Sequence, residues 1–263
     1  MSSGSERDMI MAPRSCAPPP QTPGEAAPGN SAPGRRLDGS AIRHLDFFKD
    51  LDLAALDDIA RAASPKRIPA GDVLFRQGDP PHSIFMVLNG RFKATQITPE
   101  GRQVVVRLAG PGDLIGHVSV FIDKPYPATP SAAADSIVLS WSPSVFIGLM
   151  ARHPALSLAA LRNMGKFIED AHTRLRESST ERVERRIAHV VLRLARQAGR
   201  RIEGGIEITF PITRQDIALM TGATLYTVSR VLSAWEQEGS IDGGRQHLIL
   251  RDPHALVRIA EEL

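Results

Sequence analysis

Thr213 to Ile241, "TRQDIALMTGATLYTVSRVLSAWEQEGSI", holds side chains whose spacing is mechanical. Thr213 with Asp216 three residues on is a T-x-x-D capping box, in which a hydroxyl and a carboxylate each satisfy a backbone N–H that a helix start leaves free. It predicts a helix through Arg214 to Thr221, broken by Gly222. Ala218, four residues before that glycine, is small where two crossing helices touch. Val228, six after it, is apolar where a second helix packs back. Thr224 caps this second helix, "LYTVSRVLSAWEQEG", and "SIDGGRQHLILRD" then supplies two short strands around a Gly-Gly turn. A helical hairpin with these offsets, followed by a β-ribbon, is the pattern of a winged helix-turn-helix, which lays its second helix in the DNA major groove.

The elements that must carry this hairpin fit a chain of 263 residues, 42% hydrophobic and 23% charged, long enough for two modest cores. No run of 18 apolar residues occurs and the N-terminus lacks the apolar core of a secretion signal, so a cytoplasmic protein with no membrane partner is expected. Cys16 is the only cysteine, which removes disulfide frameworks, four-thiolate zinc sites and cysteine-ligated iron–sulfur clusters within one subunit. The formal charge is +3 but unevenly spread: Arg174 to Arg201 holds nine arginines against three glutamates, and Ile202 to Leu263 five arginines against nine acids. A solvated helix face and a phosphate-facing surface both account for this collar.

Residues 1–40, with "APPPQTPGEAAPGNSAPG", carry too few large apolar side chains to offset ordering entropy and are expected to be a disordered tail. Phe47 to Ala62 has helical apolar spacing. Ile68 to Trp141 changes to β-type runs ("DVLFRQ", "SIFMVLNG", "RFKATQI", "RQVVVRLAG", "DSIVLSW") broken by Gly, Pro and Asp, the texture of a small antiparallel roll. A long helix follows from Pro154 to about Ser178. In it Leu161, Gly165, Ile168, His172 and Leu175 step by four, three, four and three, a coiled-coil seam that predicts a symmetric dimer, with Gly165 allowing close approach. The fold class is thus α+β: a β-roll over 41–152, a dimerisation helix over 153–180, and a winged helix-turn-helix over 181–263.

The whole arrangement resembles the CRP/FNR family of bacterial regulators, built from a cyclic-nucleotide-type β-roll, a dimerising helix and a C-terminal winged helix. The resemblance covers about residues 41–255 and is carried by "GDVLFRQGD", "GPGDLIGHVSVF" and "RHPALS" in front, and by "TRQDIALMTG" and "TVSRVLSAWEQEGSI" behind. It implies a transcription regulator, not an enzyme, working as a homodimer on a palindromic TTG-type site with half-sites about 34 Å apart, with RNA polymerase as a further partner of an activator. Arg230 falls on the family's guanine-reading arginine, whose fork matches O6 and N7, and Ser229 on another base-contacting position. Thr213, Arg214 and Gln215 fall where the family grips phosphate, and Thr224, Tyr226 and Thr227 complete the expected DNA-binding set. Two positions depart: Tyr226 stands where many members have a cytosine-reading glutamate, and Leu225 where the cyclic-AMP-responsive branch has an arginine.

The roll departs as well. The cyclic-AMP-binding members hold the ribose with a glutamate and, ten residues on, the phosphate with an arginine; here those positions are His117 and Pro127. Without the arginine fork a cyclic phosphate loses its strongest charge-assisted contact, so cyclic AMP is not the expected effector. His172 falls where the family's helix points a hydroxyl into the effector pocket, so His117 and His172 are expected to face one cavity, where imidazole could ligate a haem iron. "PYPAT" and "TLYTVSR…LSAWE" resemble the nitric-oxide-responsive denitrification branch, which implies nitric oxide at haem, with His172 ahead of His117 as ligand. Interior histidines satisfied by hydrogen bonds, and a regulator with no small-molecule effector, controlled by abundance or a partner, fit the same residues. A cupin-type metal enzyme would need closely spaced histidines, whereas His44, His82, His117 and His153 are scattered.

Overall fold

The computed structural model describes residues 38–244 and 246–261. Most of the expected tail, and Cys16, lie outside them. Residues 38–40 of that tail, however, are built into the fold: the Asp38 side chain caps a short 3-10 turn over Gly39–Ala41, and Gly39 N–H donates to Asp57 Oδ1 at 2.7 Å. The helical spacing of Phe47 to Ala62 resolves into two pieces. A 3-10 turn spans Asp46–Phe48, and α1 spans Leu53–Arg61, started by the Asp52 carboxylate, which accepts from Ala55 N–H.

The roll comprises β1 (Ser64–Ile68), β2 (Ile84–Asn89), β3 (Phe92–Ile97), β4 (Gln103–Ala109), β5 (Leu114–Ile115), α2 (His117–Ile122), β6 (Thr129–Ala132) and β7 (Ser136–Trp141). One sheet has the order β1-β7-β2-β5 and the other β4-β3-β6, all neighbours antiparallel. Strand β2 is buried on both faces, which explains its unbroken apolar run. Ile84 and Met86 join Trp141 and the helices in one core, whereas Phe85 and Val87 join Phe75, Phe92 and Tyr126 in another. Trp141 Nε1 is satisfied by the Ile59 carbonyl at 3.1 Å. Gly90, at φ +85, turns β2 into β3, and a Cβ there would lie 2.1 Å from Ser136 Oγ, so no side chain fits.

The sequence misplaces one strand. "DVLFRQ" is not part of a ladder beyond a single bridge, Val73 to Ser131; the edge strand is the polar Ser64–Ile68, most of it exposed. Its hydrogen-bonding partner β7 supplies the order that apolar content alone does not reveal.

After α3 (Pro143–Arg152) the chain turns by 116° at His153 into α4 (Pro154–Thr180), 27 residues long. Among the described residues no single helix is long and apolar enough to cross a membrane. The C-terminal region contains α5 (Val183–Ala198), β8 (Gly199–Ile202), β9 (Gly205–Ile208), α6 (Arg214–Thr221), α7 (Leu225–Gln237), β10 (Ile241–Gly244), β11 (His247–Leu250) and α8 (Pro253–Glu261). Its four strands form one sheet, β10-β11-β9-β8. The wing therefore has two more strands than the sequence reading assigned. Gly244 pairs with His247, so the turn falls after the Gly-Gly pair, with Gln246 at φ +67. Ile187, Val191, Leu194, Ile217, Val228 and Trp235 lie at the centre of the core beneath.

Candidate nucleic-acid interface and effector site

The helix-turn-helix forms as its local chemistry requires. Thr213 Oγ1 accepts from Asp216 N–H at 3.0 Å while Asp216 Oδ2 accepts from Thr213 N–H at 3.0 Å, closing the capping box. Gly222 takes the left-handed conformation, φ +66, and the two helices diverge by 116°. Ala218 and Val228 are both buried at the crossing. Thr224 Oγ1 accepts from Thr227 N–H at 3.1 Å and shares a hydroxyl contact with Thr227 at 2.9 Å, starting α7.

The outward face of α7 carries Leu225, Tyr226 and Arg230, all exposed, Tyr226 by 77%. Tyr226 and Arg230 are four residues apart, hence neighbours on one helix face. The Arg230 guanidinium has no hydrogen-bond or ion-pair partner among the described residues. Ser229 and Thr227 are half-buried beside them, and Gln215 is exposed at the start of α6. Arg214 is placed differently. Its Nη1 donates to the Ser229 carbonyl and Ser233 Oγ at 3.2 and 3.0 Å, and its Nη2 to both Glu236 carboxylate oxygens at 2.8 and 2.9 Å. Arg214 therefore clamps α6 to α7, a role invisible in a phosphate-contact reading of position alone.

Part of the arginine collar is likewise used inside the protein. Arg186 Nε donates to the Thr221 carbonyl at 3.2 Å and Arg185 Nη2 to the Ala260 carbonyl at 2.9 Å, each meeting the partly negative C-terminal end of a helix. Arg193 holds Glu177 bidentately at 3.0 and 3.3 Å. Arg176, Arg182, Arg196 and Arg201 remain exposed.

Asp216 has a second role that the sequence does not announce. Its Oδ1 accepts from Lys93 Nζ of β3 at 2.9 Å, joining the roll to the first helix of the hairpin across 123 residues of chain. Arg91, just before β3, donates to the Gln197 carbonyl and lies over the Phe210 ring at 5.4 Å. Burial lowers the Arg91 pKa, and Asp113 opposes that shift. Leu108 and Ala133 of the roll pack against the core of the C-terminal region.

The two histidines are not brought together within the chain. His117 opens α2, is 2% exposed, and packs edge-on against Phe121 at 5.9 Å. Neither of its ring nitrogens completes a hydrogen bond with a described residue. Burial first, and then the Arg107 charge, push its pKa down to about 4, so the ring is neutral at pH 7; the Leu114 carbonyl, already accepting from Arg107 Nη1 at 3.3 Å, pulls more weakly the other way. His172 is instead exposed on α4, beside an open hollow of about 370 Å³ lined by Gly165, Ile168, Glu169, Thr173 and Arg176. Pro127 is exposed and offers no donor. Of the two buried residues flanking it, Tyr126 is the larger; it stacks on Phe75 at 3.5 Å and donates to the Ser83 carbonyl at 2.6 Å. Among the described residues, no group of three or more His, Cys, Asp or Glu is arranged to hold a metal ion.

Two family models match consecutive parts of the chain: the cyclic nucleotide-binding domain over residues 65–153 and the Crp-like helix-turn-helix domain over 185–259. The chain belongs to the CRP/FNR family. This CRP/FNR chain is 24% identical over 213 residues, 81% of its length and 95% of the relative's, to the CRP-like cAMP-activated global transcriptional regulator of Mycobacterium tuberculosis. It is 29% identical over 206 residues, 77% of its length and 91% of the relative's, to the cyclic AMP receptor protein of Thermus thermophilus. Among solved structures, FixK2 of Bradyrhizobium japonicum matches with a TM-score of 0.67 at 19% identity, covering 76% of this chain and 98% of that one, a likeness of fold. The protein is accordingly a CRP/FNR-type DNA-binding transcription regulator, with a roll of the cyclic-nucleotide-binding kind joined to a helix-turn-helix.

Proposed function

We propose that this regulator binds a palindromic TTG-type site as a homodimer, with RNA polymerase as a further partner, under control of an effector at the roll and α4. The observation that carries the reading is the outward face of α7, where Arg230 is exposed, unpaired and one turn from Tyr226. An unpaired guanidinium on a protruding helix can meet O6 and N7 of a guanine in the major groove. Support for the dimer comes from α4: Leu161, Ile168 and Leu175 are 63%, 49% and 65% exposed along one stripe, and a Cβ on Gly165 would meet nothing within 4 Å. A second copy of α4 would cover this stripe and cross closely at the glycine.

For the effector, the proposal is nitric oxide at haem, and not cyclic AMP, whose phosphate would meet Pro127 instead of an arginine. A haem ligand needs a neutral imidazole nitrogen with access to a planar group. His117 meets the first requirement but is enclosed; His172 has access, stands beside apolar Ile168, and has Arg176 near enough to line the same hollow. His172 is therefore the preferred ligand, with Arg176 available to a propionate. Haem would supply an iron able to take up a diatomic gas. A ligand can change DNA affinity only by binding two arrangements of roll and α4 unequally.

Operator selection from random DNA, with and without haem and nitric oxide, tests both halves of the proposal. A palindrome with one guanine per half-site, enriched only with haem and nitric oxide present, is the expected outcome. His172→Ala is expected to abolish haem uptake, read as loss of the visible absorption band, and to leave the dimer intact by sedimentation. Unchanged haem uptake in that variant removes the ligand assignment; selection of no palindrome removes the DNA reading.

A further inference from the structure

At the junction of β4, α4, α5 and α6 lies a cavity of about 40 Å³. Arg107 enters it from β4, Phe167, Asp170 and Arg174 from α4, Arg193 from α5, and Met220 from α6. Three arginines and one aspartate thus line it, and Asp113 and Glu177 stand behind two of the arginines. Two of them are rigidly held. Arg107 donates to Asp113 at 3.0 Å and to the Leu114 carbonyl, and its guanidinium lies over Phe167 at 5.3 Å. Arg193 is fixed by its two bonds to Glu177. Each guanidinium has donors on three nitrogens, so most of their N–H groups stay open.

Arg174 differs from both. It is half-buried, yet it has no hydrogen bond or ion pair with any described residue, including Asp170 one turn before it. Burial, followed by the charge of Arg193, lowers its pKa, while Asp170 and Glu177 act the other way. Arg107 and Arg193 have carboxylate partners of their own, so Arg174 is the guanidinium left for an incoming anion, and a half-buried charge without a partner is unfavourable. A water requires at least about 10–15 Å³ of such space, so the cavity accommodates a group a few waters in size.

We propose that Arg107, Arg174 and Arg193 form a binding site for a phosphate-type dianion at the junction between the roll and the DNA-binding region. Guanidinium forks match the oxygens of a phosphate in geometry as well as charge. Because the lining comes from β4 on one side and from α5 and α6 on the other, occupancy ties the two regions together. This site is separate from the residues near His172.

The test is calorimetric titration of the full chain with inorganic phosphate and, separately, with adenosine 5′-monophosphate, at constant ionic strength set with sodium chloride. Saturable binding of inorganic phosphate identifies a free anion as sufficient. Binding of the nucleotide alone identifies a phosphate group on a larger molecule whose remainder projects from the opening. Arg174→Gln is expected to weaken either ligand at least tenfold, while its melting temperature in phosphate-free buffer stays unchanged or rises, since the arginine it replaces has no partner. Arg174→Lys, which keeps the charge but not the fork, is expected to bind at an intermediate level, and Arg196→Gln, an exposed arginine outside the cavity, to bind as the parent does. Absence of saturable binding by both ligands, or equal binding by the parent and Arg174→Gln, overturns the proposal. Operator binding by Arg174→Gln, read in parallel, keeps failure here distinct from failure of the DNA-binding reading.

Discussion

The buried polar groups of the hairpin contrast with one buried group of the roll, His117. In the hairpin, Asp216 serves Thr213 and Lys93 with separate oxygens, Thr221 Oγ1 donates to the Ile217 carbonyl at 2.8 Å, and Trp235 Nε1 donates to Glu184 at 3.3 Å. In the roll, His117 is as deeply buried and both its nitrogens are unsatisfied. A satisfied polar group fixes geometry, whereas an unsatisfied one costs about 1–3 kcal/mol of desolvation, which the Leu114 carbonyl near His117 offsets only weakly. The hairpin's buried groups hold its two helices in register, and the roll holds an unfavourable group at the position where its relatives by resemblance hold a ligand.

Asp216→Ala is the strongest way to break the ordered side of this contrast. It removes the N3 half of the capping box, leaving the Thr213 cap in place, and leaves Lys93 partly buried without its counter-charge. Together these are expected to cost about 3 kcal/mol, near the lower end for breaking a buried ion pair. Urea denaturation measures the loss; a change under about 1 kcal/mol would mean that the Lys93 contact stabilises little and that the hairpin stands without the roll.

His117 sharpens the other side through pH. Its folded pKa, about 4, lies below the ordinary value of 6.5, so the unfolded chain binds the proton more tightly. The sign follows: no penalty above about pH 6.5, and stability lost progressively as pH falls from there toward 4. Between pH 7.5 and 4.5 this group alone is expected to remove about 2–3 kcal/mol. His117→Leu is expected to flatten that part of the profile and to be at least as stable at pH 7.5. A parent and variant with parallel pH profiles would show the ring to be solvated or hydrogen-bonded.

Arg230→Ala leaves folding alone and strikes recognition. The side chain is exposed and unpaired, so its loss is expected to leave the urea midpoint unchanged, weaken operator binding by about 1–3 kcal/mol, and relax the preference for guanine. Weakening that is equal for all sequences would make Arg230 a phosphate contact instead.

What the sequence disclosed divides along the same line. Thr213 with Asp216, Gly222 and Thr224 are legible because each acts within three or four residues, and the structure places them as a capping box, a left-handed C-cap and a second cap. Partners far away in the chain leave no local pattern. Lys93 meets Asp216 over 123 residues and Arg214 meets Glu236 over 22. The same blindness let the collar read as a surface, although Arg185, Arg186 and Arg193 serve helix ends and Glu177. "DVLFRQ" failed for a related reason: its apolar residues supply core contacts through Phe75 without a ladder, while the polar β1 takes the sheet edge.

Tyr226 gives the smallest and most selective effect. It is 77% exposed and shares the outward face of α7 with Arg230, so it reaches the groove wherever Arg230 does. A tyrosine offers one hydroxyl or a contact with a thymine methyl, neither of which distinguishes base pairs as a carboxylate accepting from the cytosine amino group does. Tyr226→Glu is therefore expected to sharpen selection toward cytosine at a single position of each half-site, by about 1 kcal/mol or less, while total affinity falls slightly because a negative charge approaches the phosphates. Selection from random DNA reads this directly. Tightening at the neighbouring positions as well would mean that the whole helix had tilted in the groove; no change at any position would place Tyr226 against the backbone, leaving Arg230 to read the bases alone.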